Sequence, residues 1–320
     1  MGRRRIGFQP PRHPSRSGEH VRELTGGELG LRTPKQKALP NQPERLAWDI
    51  PDDDPCLIRV LSLFQDGFGG VILSGPPGTS KTWYAEQIAA KLVGGEAERA
   101  RFLQFHPSYQ YEDFVEGYVP EKAGRFKLQD KHLLIMCKAA RRLAPKLCVL
   151  VIDELSRCDP SRVFGEALTY LEMRKREQKF KLASGTELSM PMNLRFLATM
   201  NPLDRGVDEV DAAMERRFAK IEMKPDEAKL AQFLSRNRMD EGLAGRVIAF
   251  FRYLQKTQNP ECRVGHSYFI NARDEATLRR LWDHQLKFYL EKALRLNPQD
   301  MEDIERNWEA IFLVQEPKPE

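Results

Sequence analysis

Hydrophobic positions follow two rhythms along this chain. Between residues 50 and 224, short and nearly unbroken apolar runs recur: Val71-Ile72-Leu73, 101–105, 147–152, 194–200 and 219–223. Runs of that length and continuity predict strands covered on both faces, as in a parallel sheet. Between them, apolar residues recur at three- and four-residue spacing and predict helices over 56–64, from about Trp83 through Ile88 and Leu92, over 130–143, over 161–174 and over 207–217. In the helix over 161–174, Val163/Phe164, Ala167/Leu168 and Leu171 share one face. Two smaller signals are an alternating segment at 125–128 and a hairpin turned at Ala183-Ser184-Gly185-Thr186. Strands alternating with helices give an α/β class, a parallel sheet flanked by helices.

From Asp226 the rhythm is helical throughout. Leu230/Phe233/Leu234, Leu243/Val247/Phe250/Phe251/Leu254, Leu278/Leu281/Trp282/Leu286/Tyr289/Ala293 and Met301/Ile304/Trp308/Ile311/Phe312 form four stripes, the pattern of an all-helical C-terminal subdomain. The expected division is 1–45, an arm; 46–224, the α/β core; and 225–320, a helical lid.

Composition changes the reading mainly at the N-terminus. The formal net charge of the 320 residues is +5, yet residues 1–45 hold ten Lys/Arg against four Asp/Glu, leaving 41 against 42 in the rest. Basicity therefore belongs to the arm, whose Arg, Pro and Gly content cannot bury a core. Arg3-Arg4-Arg5 with Arg12, Arg16 and Arg22 suits DNA or an acidic partner, and equally a solvated tail. Five scattered cysteines lack Cys-x-x-Cys pairing and metal-ligand spacing, the usage of reduced thiols in a cytoplasmic protein. No apolar stretch approaches the roughly 20 residues of a membrane span.

The chemistry sits where apolar runs end. After Val71-Ile72-Leu73 comes Ser74-Gly75-Pro76-Pro77-Gly78-Thr79-Ser80-Lys81-Thr82, then a helix start. Strand, Gly/Pro-rich turn and helix N-terminus make a phosphate cradle: backbone N–H groups close on a polyphosphate, Lys81 reaches its terminal groups, and Thr82 offers a hydroxyl to Mg²⁺. The strict motif has Gly before the Lys, where this chain has Ser80. The run 147–152 ends in Asp153-Glu154, placing two carboxylates where open α/β sheets bind ligands. Asp153 is expected in the Mg²⁺ shell and Glu154 as the group that orients the attacking water. The run 194–200 ends in Asn201, an amide able to bond that water, and Arg216-Arg217 closes the 207–217 helix. Between the lid stripes lies Arg263-Val264-Gly265-His266-Ser267-Tyr268-Phe269. The aromatic and acidic stretch 106–118 fits either loop packing or a surface facing a partner or pore.

This succession of a phosphate loop, Asp-Glu strand, Asn strand, Arg-Arg helix and helical lid resembles an AAA+ ATPase. Phe105-His106-Pro107-Ser108-Tyr109-Gln110-Tyr111-Glu112-Asp113-Phe114, Met200-Asn201-Pro202-Leu203-Asp204-Arg205 and Val264-Gly265-His266-Ser267-Tyr268 are similar to the McrB group, the NTPase motors of modification-dependent restriction systems. The resemblance covers about residues 50–295. It implies a hexameric ring with nucleotide bound between neighbouring copies. It also implies roles: Gly75, Pro76, Pro77, Gly78, Thr79, Ser80, Lys81 and Thr82 around the phosphates, Asp153 and Thr82 at Mg²⁺, Glu154 and Asn201 at the water, Arg216 or Arg217 as a finger into the next copy's site, and Arg263 or His266 as a lid contact. The group's Asn-Thr-Ala-Asp-Arg-Ser string is altered here at Pro202, Leu203 and Gly206. ATP is favoured as substrate and GTP stays open. No N-terminal DNA-reading domain of the McrB kind is expected in residues 1–50. A motor working with a nuclease subunit, a MoxR-like chaperone and a nucleotide-dependent adaptor recruiting an effector all fit these residues.

Overall fold

The computed structural model describes residues 45–122, 124–202 and 212–313. Residues 1–44 of the arm therefore lie outside the described residues, as does the segment 203–211 and with it the start of the helix expected over 207–217.

Helix α1 (Pro55–Gln65) begins at Asp54, whose carboxylate accepts from the N–H groups of Cys56 and Leu57 at 2.8 and 3.2 Å, satisfying two donors that a helix start leaves unpaired. It leads into β1 (Gly70–Ser74), the phosphate-loop turn and α2 (Lys81–Leu92), then β2 (Ala100–Gln104). Next come the short α3 (Tyr111–Phe114), a hairpin of β3 (Glu116–Pro120) with β4 (Phe126–Asp130), α4 (His132–Leu143) and β5 (Cys148–Asp153). The stretch 106–118 is largely packing: Phe105 stacks on Tyr109 at 4.7 Å and meets Phe114 edge-on, while Phe114 and Val115 are fully buried. His106, Pro107, Ser108, Gln110, Glu112, Asp113 and Tyr118 of this stretch are exposed, as is Phe126 on β4.

The continuous helix expected over 161–174 is not formed. Helix α5 (Pro160–Phe164) stops at Gly165, whose φ of +52° places it in the left-handed region, and 3₁₀ turns follow over Gly165–Leu171 and Met173–Lys175. Only glycine fits at the break, since a Cβ on Gly165 would lie 2.8 Å from the Tyr111 ring. The apolar face survives it, with Val163, Phe164, Ala167 and Leu171 all buried. A small hairpin of β6 (Phe180–Lys181) and β7 (Glu187–Leu188), turned at Gly185, precedes β8 (Leu194–Met200). The short α6 (Ala212–Glu215) and β9 (Phe218–Glu222) complete the core.

The main sheet is all parallel in the order β2-β5-β8-β1-β9. Alternation along its strands feeds two cores. Ile72, Leu150, Ile152, Phe196 and Ala198 face α4 and α5, while Val71, Leu73, Val149, Val151 and Leu197 face α1 and α2. Helices on both sides explain why β1 is buried at every position.

The C-terminal helices are α7 (Glu227–Arg236), α8 (Glu241–Lys256), α9 (Glu275–Leu281), α10 (Lys287–Ala293) and α11 (Pro298–Glu309), with a π-helical turn Trp282–Leu286 joining α9 to α10. They surround a core of their own. Trp282 stacks on Trp308 at 4.8 Å, with Phe250 set edge-on to Trp308 at 5.1 Å. All five cysteines are free thiols, and no helix among the described residues is long and apolar enough to cross a membrane.

Candidate functional site

Because the strands are parallel, their C-terminal ends share one edge. Ser74 of β1 is level with Met200 of β8 and Glu222 of β9, and Asp153 of β5 is level with Gln104 of β2. The turn after β1, the Asp153-Glu154 pair and Asn201 thus leave the sheet side by side. Gly75 N–H donates to the Met200 carbonyl at 3.2 Å, which sets the start of the loop directly beside Asn201.

Within the loop, Gly78 and Ser80 have φ of +80° and +63°. The carbonyl of Pro76 accepts from Thr79 Oγ1 at 2.9 Å and Lys81 Nζ at 2.8 Å, so the ammonium lies over the turn. Left-handed backbone costs an L-residue about 1 kcal/mol or more, which explains both the usual Gly before the Lys and the cost of Ser80 in its place. Thr82 Oγ1 donates to Asp153 Oδ1 at 2.9 Å, and Thr199 Oγ1 donates to the same oxygen at 2.5 Å. Thr199 in turn accepts from Glu154 N–H at 3.1 Å. This threonine, hidden inside an apolar run, was missed by sequence reading. It holds both acids in place, Asp153 by its carboxylate and Glu154 by its backbone, which is left-handed with φ +55°. The Glu154 carboxylate lies 3.5 Å from Arg157. A hydroxyl and one carboxylate with oxygens 2.9 Å apart fit Mg²⁺, which takes one or two protein oxygens and completes its shell with phosphate and water.

The lid closes on the loop from outside. Gly265 N–H donates to the Pro77 carbonyl and Ser267 N–H to the Gly78 carbonyl, both at 2.9 Å. A Cβ on Gly265 would sit 2.0 Å from the Gly78 carbonyl carbon and oxygen, so only glycine allows this approach. His266 is 1% exposed. One ring nitrogen lies 3.2 Å from Ser80 Oγ and the other accepts from Asp226 N–H at 3.2 Å. Burial pushes its pKa down to about 4, with Lys229 acting in the same direction. Arg263 is exposed, donates to the Thr257 carbonyl at 3.1 Å, and lines a cavity of about 720 Å³ together with Gly75, Pro76, Lys220 and Glu222.

The two candidate finger arginines sit elsewhere. They precede β9, whose first residue Phe218 pairs with Gly70, the first residue of β1. They are therefore at the opposite end of the sheet from the loop, separated by about 13 Å of strand. The neighbours also differ from each other: Arg217 is buried, with Nε 3.5 Å from the Glu172 carboxylate, whereas the Arg216 side chain is 70% exposed.

The family model described as AAA domain (dynein-related subfamily) matches residues 70–218. The EcoKMcrB subunit of the type IV methyl-directed restriction enzyme of Escherichia coli (strain K12) is 31% identical over 223 residues, 65% of this chain and 48% of that protein. Residues 70–218 match an AAA domain, a P-loop NTPase core, and the chain is similar to McrB beyond it. The BsuMI component YdiS, of a type II restriction enzyme of Bacillus subtilis (strain 168), is 24% identical over 46% of this chain and 55% of its own. The ATP-dependent zinc metalloprotease FtsH 2 of Conexibacter woesei is 36% identical over 113 residues, 35% of this chain and 13% of that protein. This NTPase spans about half the length of the two restriction-enzyme relatives it matches.

Proposed function

We propose that this NTPase assembles into a ring, hexameric as in the resemblance, hydrolyses ATP in preference to GTP at sites shared between neighbouring copies, and uses the turnover to remodel or move a partner or polymer. The observation that carries this reading is the separation of the phosphate loop from Arg216. A cation at the far end of the sheet cannot serve the nucleotide of its own chain, and is well placed on the surface to serve another. Exposure favours Arg216 as that finger and assigns Arg217 to holding the fold.

In this site Lys81 and the loop N–H groups bind the phosphates, and Thr82 with Asp153 holds Mg²⁺. When bound there, the metal would supply charge neutralisation to the phosphates. Thr199 keeps Asp153 and Glu154 in register, Glu154 orients and polarises the water, and Asn201 hydrogen-bonds it. The protein's contribution is positioning and electrostatics, the main demands of phosphoryl transfer. Two restriction-enzyme relatives support a partner nuclease subunit. DNA-stimulated turnover would favour this motor over a chaperone or an adaptor.

The test is turnover per chain against protein concentration with saturating ATP and Mg²⁺, alongside sedimentation. A shared site requires specific activity to rise steeply as assemblies form. Full activity in a monomer at every dilution would refute it.

A further inference from the structure

We propose that His266 is a positioning residue for the phosphate loop: through Ser80 Oγ it holds the left-handed residue before Lys81, and through its other ring nitrogen it ties that hold to the start of α7. The proposal rests on the nucleotide-binding reading of the loop and concerns how this chain tolerates Ser where the motif has Gly.

Three observations meet here. Ser80 has φ +63°, a conformation that glycine adopts at no steric cost and serine does not. Its hydroxyl lies 3.2 Å from His266 Nε2. Asp226 N–H donates to Nδ1 at 3.2 Å, so the neutral ring carries its proton on Nε2 and that N–H donates to Ser80 Oγ. With burial keeping the ring neutral, the tautomer stays fixed at ordinary pH. Groups facing the ring are Asp226 and Lys229 from α7, with the Phe233 ring at 5.9 Å. Neither nitrogen is left to touch a nucleotide directly.

The consequence reaches past one hydrogen bond. Asp226 caps α7 through its own carboxylate, which accepts from Ala228 and Lys229 N–H. His266 thus joins the lid's first helix to the residue that aims Lys81. Together with the bonds to the Pro77 and Gly78 carbonyls, the lid fastens the loop at residues 77, 78 and 80. A change in lid pose is then a change in the cradle.

The test separates the two ring nitrogens. In H266Q the side-chain amide can still donate to Ser80. In H266N the shorter amide can replace only the acceptor for Asp226. Affinity for a fluorescent ATP analogue with Mg²⁺ is titrated for each, with melting temperature recorded in parallel. Each variant loses one of the two bonds, so both melt lower. H266Q should nevertheless bind roughly fivefold more tightly than H266N, the size of one ordinary hydrogen bond. In an S80G background that difference should shrink to about onefold, because the donor then has nothing to hold. S80A, which keeps the left-handed strain and loses the hydroxyl, should bind roughly fivefold more weakly than S80G, and as a loop variant it does not depend on His266 substitutions folding. Equal affinities for H266Q and H266N, or a difference that persists with S80G, would overturn the proposal alone. Absence of binding by the wild-type chain, matching a K81A control, would overturn the nucleotide reading and this proposal with it.

Discussion

Two adjacent arginines with opposite fates allow a quantitative test of the shared site. Arg217 is 7% exposed in its side chain and 3.5 Å from Glu172, itself 10% exposed. Breaking a buried pair costs about 3–5 kcal/mol when the remaining charge is abandoned. Here Glu172 keeps Arg174 at 2.7 Å and Lys175 at 3.6 Å, and Arg174 is the main reason its pKa is lowered. The expected loss for R217A is therefore nearer 2 kcal/mol, or about 3 °C in melting temperature for a chain of this size. Arg216 is 70% exposed and reaches the same carboxylate only at 3.9 Å, a contact worth about 0.5 kcal/mol or less in solvent. R216A should thus melt within about 2 °C of wild type while its turnover falls by about 10³, the scale of a lost finger. Phosphate release at saturating ATP and a thermal melt on the same preparations decide the matter. Mixing supplies the stronger arm: R216A keeps an intact loop, K81A keeps an intact finger, and co-assembly should restore activity that neither has alone. A destabilised R216A with full turnover, or a mixture that stays inactive although co-assembled, would refute the assignment.

Other consequences are simpler to check. E154Q should bind ATP with near wild-type affinity in a filter or fluorescence assay and hydrolyse it at least about 10²-fold more slowly; normal turnover would remove Glu154 from the water. T199V should lower turnover and raise the Mg²⁺ concentration it needs, because it releases Asp153 and Glu154 at once, and an unchanged Mg²⁺ titration would contradict that role. G265A should drive its methyl group into the Gly78 carbonyl and cost both melting temperature and nucleotide affinity, whereas G94A, where nothing lies within 4 Å of the new carbon, should change affinity little. His266 carries a pH signature: its pKa is about 4 in the folded chain against an ordinary 6.5. The unfolded chain therefore takes up the proton first, and stability complete above pH 6.5 is lost as pH falls toward 4, by up to about 3 kcal/mol. The melting temperature of H266Q should depend less steeply on pH between 7 and 5 than that of wild type, and parallel slopes would refute this.

What could be read in advance divides along physical lines. Strands buried on both faces must be apolar throughout, so the runs at β1, β5, β8 and β9 were visible within a residue, and with them the polar residues at their ends. The lid stripes were visible for the same reason, since each helix had to bury one face. Gly165 was not legible as a break because a lone glycine is tolerated inside a helix, and the Tyr111 ring that excludes any larger residue there lies over fifty residues earlier in the chain. Thr199 was hidden because β-branched residues suit any strand and nothing local marks a hydroxyl as the support of two acids. Arg216 and Arg217 look alike in sequence and approach the same distant Glu172, and only burial, 70% against 7% side-chain exposure, separates them. His266 read as a lid residue facing the nucleotide, whereas burial turns it to Ser80 and Asp226.

The lid string Gly265-His266-Ser267 has a further physical consequence for the loop it covers. A trans peptide is planar, so a carbonyl directed one way sends the following N–H the opposite way. The carbonyls of Pro77 and Gly78 are directed outward, where they accept from Gly265 and Ser267. The N–H groups of Gly78 and Thr79 must then point away from the lid and into the turn, the direction from which a phosphate would approach. Lid contacts made outside the cradle thereby set the donors inside it. This explains why a backbone-to-backbone approach that only Gly265 permits lies so far along the chain from the residues it serves: it aligns dipoles in advance, when otherwise the entering anion would have to turn each peptide against its own resistance.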